Sequence, residues 1–282
     1  MKIGIEKIKN IPSRIGLYIV LMLIGFSVFF PLYILFISSL KKNNIELNVN
    51  PIGFPEVWRF DNYINIFKFS AFGWNYLSST VVTVSSILLV VILSSMASYA
   101  LAKYSFKLNK YIYGMFVVGL FLPIRMGTLN ILRVMVALDL MNNLFGLIII
   151  ETVLGLPGAI FILTGFIKLL PEELSNSARI DGCSEPGIFF KIIVPLLKPA
   201  LVTIVLFNLL RIWNDIWWPL LMITDSKLKV VPLAVSVYID EFTSDYVMIF
   251  SFLNVASWPL IIIYLILSRH YIRGLTGGAL KE

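Results

Sequence analysis

The chain has 282 residues, 59% hydrophobic and only 14% charged, with a net charge of +7 and a mean hydropathy of +0.89. A soluble globular domain carries roughly 45–50% apolar and ~25% charged residues, so a water-soluble fold of this length is excluded: it could not cover that much apolar surface. The single cysteine, Cys183, excludes an intramolecular disulfide and any cysteine-cluster metal site. The cations fall between apolar blocks, which fits membrane topology better than a nucleic-acid surface.

Crossing a ~30 Å hydrocarbon core takes about 20 mostly apolar helical residues. Six segments meet that requirement, at 15–39, 76–101, 111–134, 144–168, 199–221 and 247–268. Helices are expected because hydrocarbon offers no water to bond a loose backbone. Lys2, Lys7, Lys9 and Arg14 before the first segment resemble the start of a signal peptide. The apolar run that follows is too long and lacks a small-residue cleavage site, so it reads as a retained anchor. With the amino terminus in the cytoplasm, fourteen of the twenty-three basic residues lie inside, so both termini are expected there. Pro31, Pro123, Pro157 and Pro259 fall within spans, where a missing backbone donor should kink the helix. The organisation is therefore a cytoplasmic arm at 1–14, a six-helix transmembrane domain at 15–270 with a cytoplasmic loop at 171–199, and a cytoplasmic tail at 271–282.

That loop, PEELSNSARIDGCSEPGIFFKIIVPLLKP, reads as helix, turn, helix. Pro171 suits a first helical position, and Glu172 and Glu173 place negative charge near the positive helix end. Asp181-Gly182 supplies a turn, because glycine tolerates positive φ. Ser184 fits an N-cap, and Phe189, Ile192, Ile193 and Leu196 recur at helical spacing as one apolar face. Pro195 and Pro199 should end the second helix before the fifth span. The expected product is a rigid, L-shaped knob tied to two spans.

These residues resemble the EAA coupling motif of type I ABC importer permeases. Asn176, Ser177 and Ala178 stand where Glu-Ala-Ala would be, followed by Arg179, Ile180, Asp181 and the motif's Gly182, with Phe189, Phe190, Ile192, Ile193 and Pro195 beyond. Asn176 replaces the usual glutamate and carries no charge, so an ion pair to an ATPase is not expected from it. Arg211-Ile212-Trp213-Asn214-Asp215 is similar to the Trp-Asn-Asp stretch of carbohydrate-uptake permeases. The ending Arg273-Gly274-Leu275-Thr276-Gly277-Gly278-Ala279-Leu280-Lys281 resembles the tail of the second permease of maltose-type systems.

The resemblance implies an all-α membrane protein with the six-helix type I ABC importer permease fold, in the bacterial cell membrane. It implies four kinds of partner: a second, non-identical permease, two ATPase subunits, an extracytoplasmic solute-binding protein and a sugar substrate. No GxxxxGK[ST] phosphate loop occurs, so this chain binds no cofactor, and ATP and magnesium belong to the ATPase. The coupling residues implied are Glu173, Asn176, Ser177, Ala178, Arg179, Asp181, Gly182, Phe189 and Pro195, with Gly274, Thr276, Gly277 and Gly278 of the tail entering a gap in extended form.

The transport path is less marked. Arg125 and Glu151 fall at similar depths in the third and fourth spans and are expected to form a structural ion pair, with cavity lining as the alternative. Trp213, Asn214 and Asp215, with Trp217 and Trp218, offer the aromatic faces and polar groups that hold sugars, although tryptophans near span ends also serve as interfacial anchors. Three other classes compete. An importer of amino acids, peptides or polyamines would share the loop. An intramembrane enzyme would need a nucleophile near His270, and a stand-alone transporter would need internal repeats and more intramembrane carboxylates.

Overall fold

The computed structural model describes residues 11–69, 71–235 and 245–279, and the side chains of 15–68, 71–235 and 245–266. Lys2, Lys7, Lys9 and Lys281 lie outside the described residues, as do the side chains of Arg14, Arg269, His270 and Arg273. Among the described residues every regular element is helical. Four helices are long and apolar enough to cross a membrane: α1 (Ile11–Ser39), α4 (Phe72–Lys103), α7 (Leu144–Lys168) and α14 (Tyr246–Ala279). Two bent pairs bring the number to six if each is one broken span.

The third and fifth predicted spans depart from the sequence expectation. The third predicted span, 111–134, is two pieces, α5 (Asn109–Phe121) and a 3-10 turn at Ile124–Gly127 leading into α6 (Thr128–Ala137), at 92° to each other. Pro123 has no N–H for the ladder and biases the residue before it out of the helical region, and Leu122 is extended at ψ 129. Pro31, Pro157 and Pro259 lie inside helices that continue past them, so only one of the four prolines expected to kink a helix breaks one. The fifth predicted span, 199–221, is helical as α11 (Lys198–Trp213), stops at 214–216 and resumes as α12 (Trp217–Met222). At ~1.5 Å per residue α11 is about 24 Å long, short of the full hydrocarbon thickness.

The chain divides into two compact units, Met1–Ser70 with Val235–Ser257, and Ala71–Ala234 with Trp258–Glu282. In the first, the end of α1 is fastened by polar bonds. Lys41 is fully buried with its ammonium donating to the Asn50 carbonyl. Asn62 of α3 (Asp61–Phe69) donates to the Ser39 and Lys41 carbonyls, at 2.9 Å each, and Ser251 of α14 donates to Ser39 O at 2.9 Å. Short helix α2 (Asn44–Val49) is capped by Asn43, whose side chain accepts from the Glu46 N–H.

The second unit is organised on α4 against α7. Ser79, Thr83, Ser86, Val90, Ser94 and Ser98 recur every three or four residues of α4, and all are buried. Small residues let two helices approach closely where lipid tails give no hydrophobic incentive to associate. Ser86 and Ser98 reach across and donate to the carbonyls of Ile148 and Ile160, at 3.3 and 3.2 Å. At one end of this pair, Val82 of α4 and Leu147, Ile148 and Ile150 of α7 share a core with Trp218, Met222 and Leu233, the last on α13 (Val231–Ala234). At the other, Tyr99, Leu163 and Ile167 share one with Ile188, Phe189 and Ile193.

Close approach is most exacting at Gly146. A Cβ there would collide with the Leu140 carbonyl oxygen and lie 2.9 Å from Met222 Cε. Gly146→Ala should cost about 1–3 kcal/mol through overpacking, read as a lower midpoint of thermal unfolding of the protein in lipid nanodiscs.

Candidate functional site

The loop between α7 and α11 has the predicted helix-turn-helix form. Helix α8 (Glu172–Ile180) begins just after Pro171, which occupies the capping position instead of the first helical one. It ends in a Schellman arrangement: Cys183 N–H bonds to Ala178 O at 2.9 Å and Gly182 N–H to Arg179 O at 3.0 Å, with Gly182 at φ +78°. That backbone conformation is why a glycine stands there. Ser184 has the extended backbone of a cap, but its side chain makes no capping bond to α9 (Glu185–Ile188). Cys183 packs against the buried cluster.

Beyond α9 the prolines do not end the helix as expected. The chain widens to a π-helix at Phe189–Ile193, where Val194 N–H bonds to Phe189 O, then continues as α10 (Val194–Leu196). Pro195 cannot donate and its ring crowds the carbonyl four residues back, and a wider turn accommodates both. The break comes at Leu197, and Glu185–Leu196 lies at 72° to Lys198–Trp213. This is the corner of the L.

The loop is riveted to the end of α4 by Glu185, which is not among the coupling residues that the resemblance implies. Glu185 accepts from Arg179 Nε at 2.6 Å and Nη2 at 3.3 Å, from Tyr104 Oη at 2.6 Å and from Tyr99 Oη at 3.2 Å. Tyr99 stacks edge-on with Tyr104 at 5.8 Å and tilts against Phe189 at 5.3 Å. Asn176 is turned inward on the same group, its Oδ1 accepting from Arg179 Nη1 at 3.0 Å. Lys103 donates to the Leu170 carbonyl at 3.2 Å. Of α8 only Ser175 and Ala178 are buried, so Glu173, Asn176, Ser177 and Arg179 present an open face, as do Leu174 and Ile180, the latter 87% exposed. Asp181 is also exposed, whereas Phe189 is core.

The tail residues Gly274, Thr276, Gly277 and Gly278 have helical backbone, since α14 continues to Ala279, where an extended form was expected. A helix already running for many turns has no further nucleation cost, so several glycines at roughly 1 kcal/mol each do not stop it.

The two broken spans meet. Arg125 does not pair with Glu151: its guanidinium lies over the Trp217 ring, 5.4 Å from the centroid, and Trp217 Nε1 donates to Thr128 Oγ1 at 3.3 Å. The partner of Glu151 is Arg211, at 2.5 Å. Asp215 accepts from the N–H groups of Trp217 and Trp218 at 3.3 and 3.1 Å, which starts α12. Trp213 is buried edge-on to Tyr76 at 5.6 Å. Of the five path candidates, Arg125 and Asn214 remain exposed, while Glu151 and Trp213 are buried and Asp215 is half-buried, accepting from the start of α12 and lying beside Glu151. Arg211 stood inside a recognised motif, but its pairing is sixty residues distant in sequence and carries no local signal.

Hydrogen bonding by Arg179 and then Tyr104 holds the Glu185 carboxyl down at about 2, from an ordinary value of 4.5. A depressed acid stabilises the fold fully above its ordinary value and loses that contribution as pH falls through the depressed one. In an isotope-edited infrared titration with Glu185→Gln as blank, the Glu185 carboxylate band should therefore persist to about pH 3. A midpoint near 4.5 would show that the rivet is open.

Comparisons with known proteins agree with this architecture. The family model described as "Binding-protein-dependent transport system inner membrane component" matches residues 91–277. The chain is 32% identical over 272 residues to the arabinooligosaccharides transport system permease protein AraQ of Bacillus subtilis, covering 95% of this chain and 96% of that one. It is 32% identical to the multiple sugar-binding transport system permease protein MsmG of Streptococcus mutans, covering 94% and 96%. A chain from the crystal structure of a bacterial ABC transporter involved in the import of the acidic polysaccharide alginate superposes with a TM-score of 0.81, at 19% identity, over 93% of this chain and 98% of that one. With its apolar helices, two broken spans and angled inter-span loop, the chain belongs to the family of inner membrane components of binding-protein-dependent transport systems.

Proposed function

We propose that this chain is one of two permease subunits of an ATP-driven importer of a sugar or oligosaccharide, with both termini in the cytoplasm. The observation that carries the reading is the angled loop at 172–193, whose first helix buries two residues and leaves Leu174 and Ile180 exposed. On the reading proposed, the docked partner covers these two apolar side chains along with the polar face between them. The Schellman turn at Gly182 and the Glu185 rivet make the loop stiff, so force applied to α8 reaches α4 through Tyr99 and Tyr104, and α11 through the corner at Leu197.

The partner is an ATPase dimer that grips α8 on each permease, and its closure on ATP selects one of two packings of the spans. Asn176 contributes by orienting Arg179, so the uncharged residue in the motif position leaves an internal contact intact. The tail at 274–278 reaches toward the ATPase pair. The solute arrives on an extracytoplasmic binding protein and passes the paired breaks, where Arg125, Asn214 and the Trp217 face supply a cation, an amide and an aromatic plane. The named sugar-permease relatives, similar over almost their whole length, support carbohydrate as the solute class.

A tagged chain expressed from its own locus should bring down a different permease and an ATPase. Ile180→Asp and Leu174→Asp lie on an exposed face, where substitutions change stability by about 0.5 kcal/mol or less. They should abolish recovery of the ATPase while the second permease is retained. Full recovery of the ATPase with both variants would end the docking assignment. Trp217→Ala should slow sugar uptake per assembled complex about tenfold, while ATP hydrolysis continues.

A further inference from the structure

The charged cluster at Glu151 does something the coupling loop does not require. Glu151 is 1% exposed in the middle of α7, and Arg211 reaches it from the last turn of α11. The guanidinium grips three acceptors: Nη1 donates to Glu151 Oε2 at 2.5 Å, and Nη2 donates to the Glu151 carbonyl at 2.7 Å and to Asn208 Oδ1 at 3.3 Å. The Glu151 carbonyl belongs to the ladder of a helix that carries Pro157 further on. Pro157 removes the ladder donor to the Val153 carbonyl, not to that of Glu151, so Arg211 takes up the second lone pair of a carbonyl still within the helix.

Room for the grip comes from Gly155. A Cβ there would lie 2.5 Å from Asn208 Oδ1, 2.7 Å from Val90 Cγ2 and 3.4 Å from Arg211 Nη2. Only a residue without a side chain lets α4, α7 and the Asn208–Arg211 face of α11 converge at one point.

Arg211 also lies in the last turn of α11. Three residues on, Asn214 Nδ2 bonds back to Leu210 O at 2.8 Å, and Asp215 N–H takes the tighter bond to Ile212 O at 3.2 Å. Asp215 then turns its carboxylate forward to begin α12. Trp217 is the first residue of α12 and carries Arg125 on its face and Thr128 at its edge. Pro219 stands in the first turn of α12, and in an unbroken helix its ring would clash with the Asp215 carbonyl four residues back, so the break has a backbone cause. The register of α11 ahead of that break is fixed by the buried tether: breaking a buried ion pair leaves an uncompensated charge, so α11 cannot slide or rotate past the point at which Arg211 meets Glu151.

We infer that Glu151, through Arg211, is a positioning residue that fixes the end of α11 and so holds Trp217 against the break of the third span. Glu151 never touches the solute. The functional half of this inference rests on the proposal that the paired breaks line the path; the structural half stands on the geometry alone.

The test uses the complete transporter with its second permease and ATPase in nanodiscs, and two readouts. The first is hydrogen exchange of residues 214–222 against residues 172–196, in the unmodified complex, in Glu151→Gln and in Arg211→Lys, which keeps the buried charge pair but cannot hold three acceptors. The expected result is faster exchange at 214–222 in both variants, smaller in Arg211→Lys, with 172–196 unchanged. The second is uptake kinetics per assembled complex: the half-saturation concentration should rise about tenfold, with a maximum rate that changes much less. A merely structural defect would lower the amount of complex and leave that constant alone. Unchanged exchange at 214–222 in Arg211→Lys, which preserves charge pairing and folds if any variant does, overturns the positioning role. Faster exchange with an unmoved half-saturation constant overturns its link to the path. Failure of the coupling proposal has a separate signature, the loss of any ATPase contact at 172–196 in the unmodified complex.

Discussion

Hydrocarbon supplies no hydrogen bonds, and that constraint shapes every irregularity in the second unit of this protein. An unbroken helix satisfies its own backbone, so each interruption must be answered by groups the chain brings with it. At the Pro123 break, Met126 N–H bonds to the Pro123 carbonyl at 2.8 Å and Thr128 Oγ1 donates to the Arg125 carbonyl at 2.7 Å. At 214–216, Asn214 closes one helix and Asp215 opens the next. The breaks are therefore structured, and they are joined to each other through Trp217.

Between the breaks and the angled loop lies the pairing of α4 with α7. Its small residues bring the two backbones together, and its ends carry separate apolar clusters, one holding α12 and the other holding the helix after Gly182. Close-packed interiors have few soft modes. The arrangement gives the loop a stiff attachment, and the sharp changes of helix direction lie at the corner at Leu197 and at the Pro123 break.

Charge is used sparingly and in two different regimes. Glu185 and Arg179 pair at the surface, where an isolated ion pair is worth little, yet two tyrosine hydroxyls and the Asn176 amide turn it into a fixed network. Glu151 and Arg211 pair where an unmatched charge is expensive, and there the value of the pair lies in specifying position.

Much of this was legible in the sequence because it depends on local chemistry. Apolar run length placed six spans, and 144–168 coincides with α7. Gly182 announced a left-handed turn, and the polar loop around it folds as its own residues dictate. The stripe Ser79, Thr83, Ser86, Val90, Ser94 and Ser98 on α4, every three or four residues, was also present to be read as a packing face. What only the tertiary structure decided is partner choice. Span position in the sequence favours pairing Arg125 with Glu151, but the turn at the Pro123 break sends Arg125 to Trp217, and Glu151 meets Arg211 instead. Likewise, Asp215 and Glu185 acquire their roles from groups two or three residues away in one case and more than eighty in the other. Sequence periodicity fixes which face of a helix a residue occupies, whereas which neighbour that face meets follows from packing several helices at once.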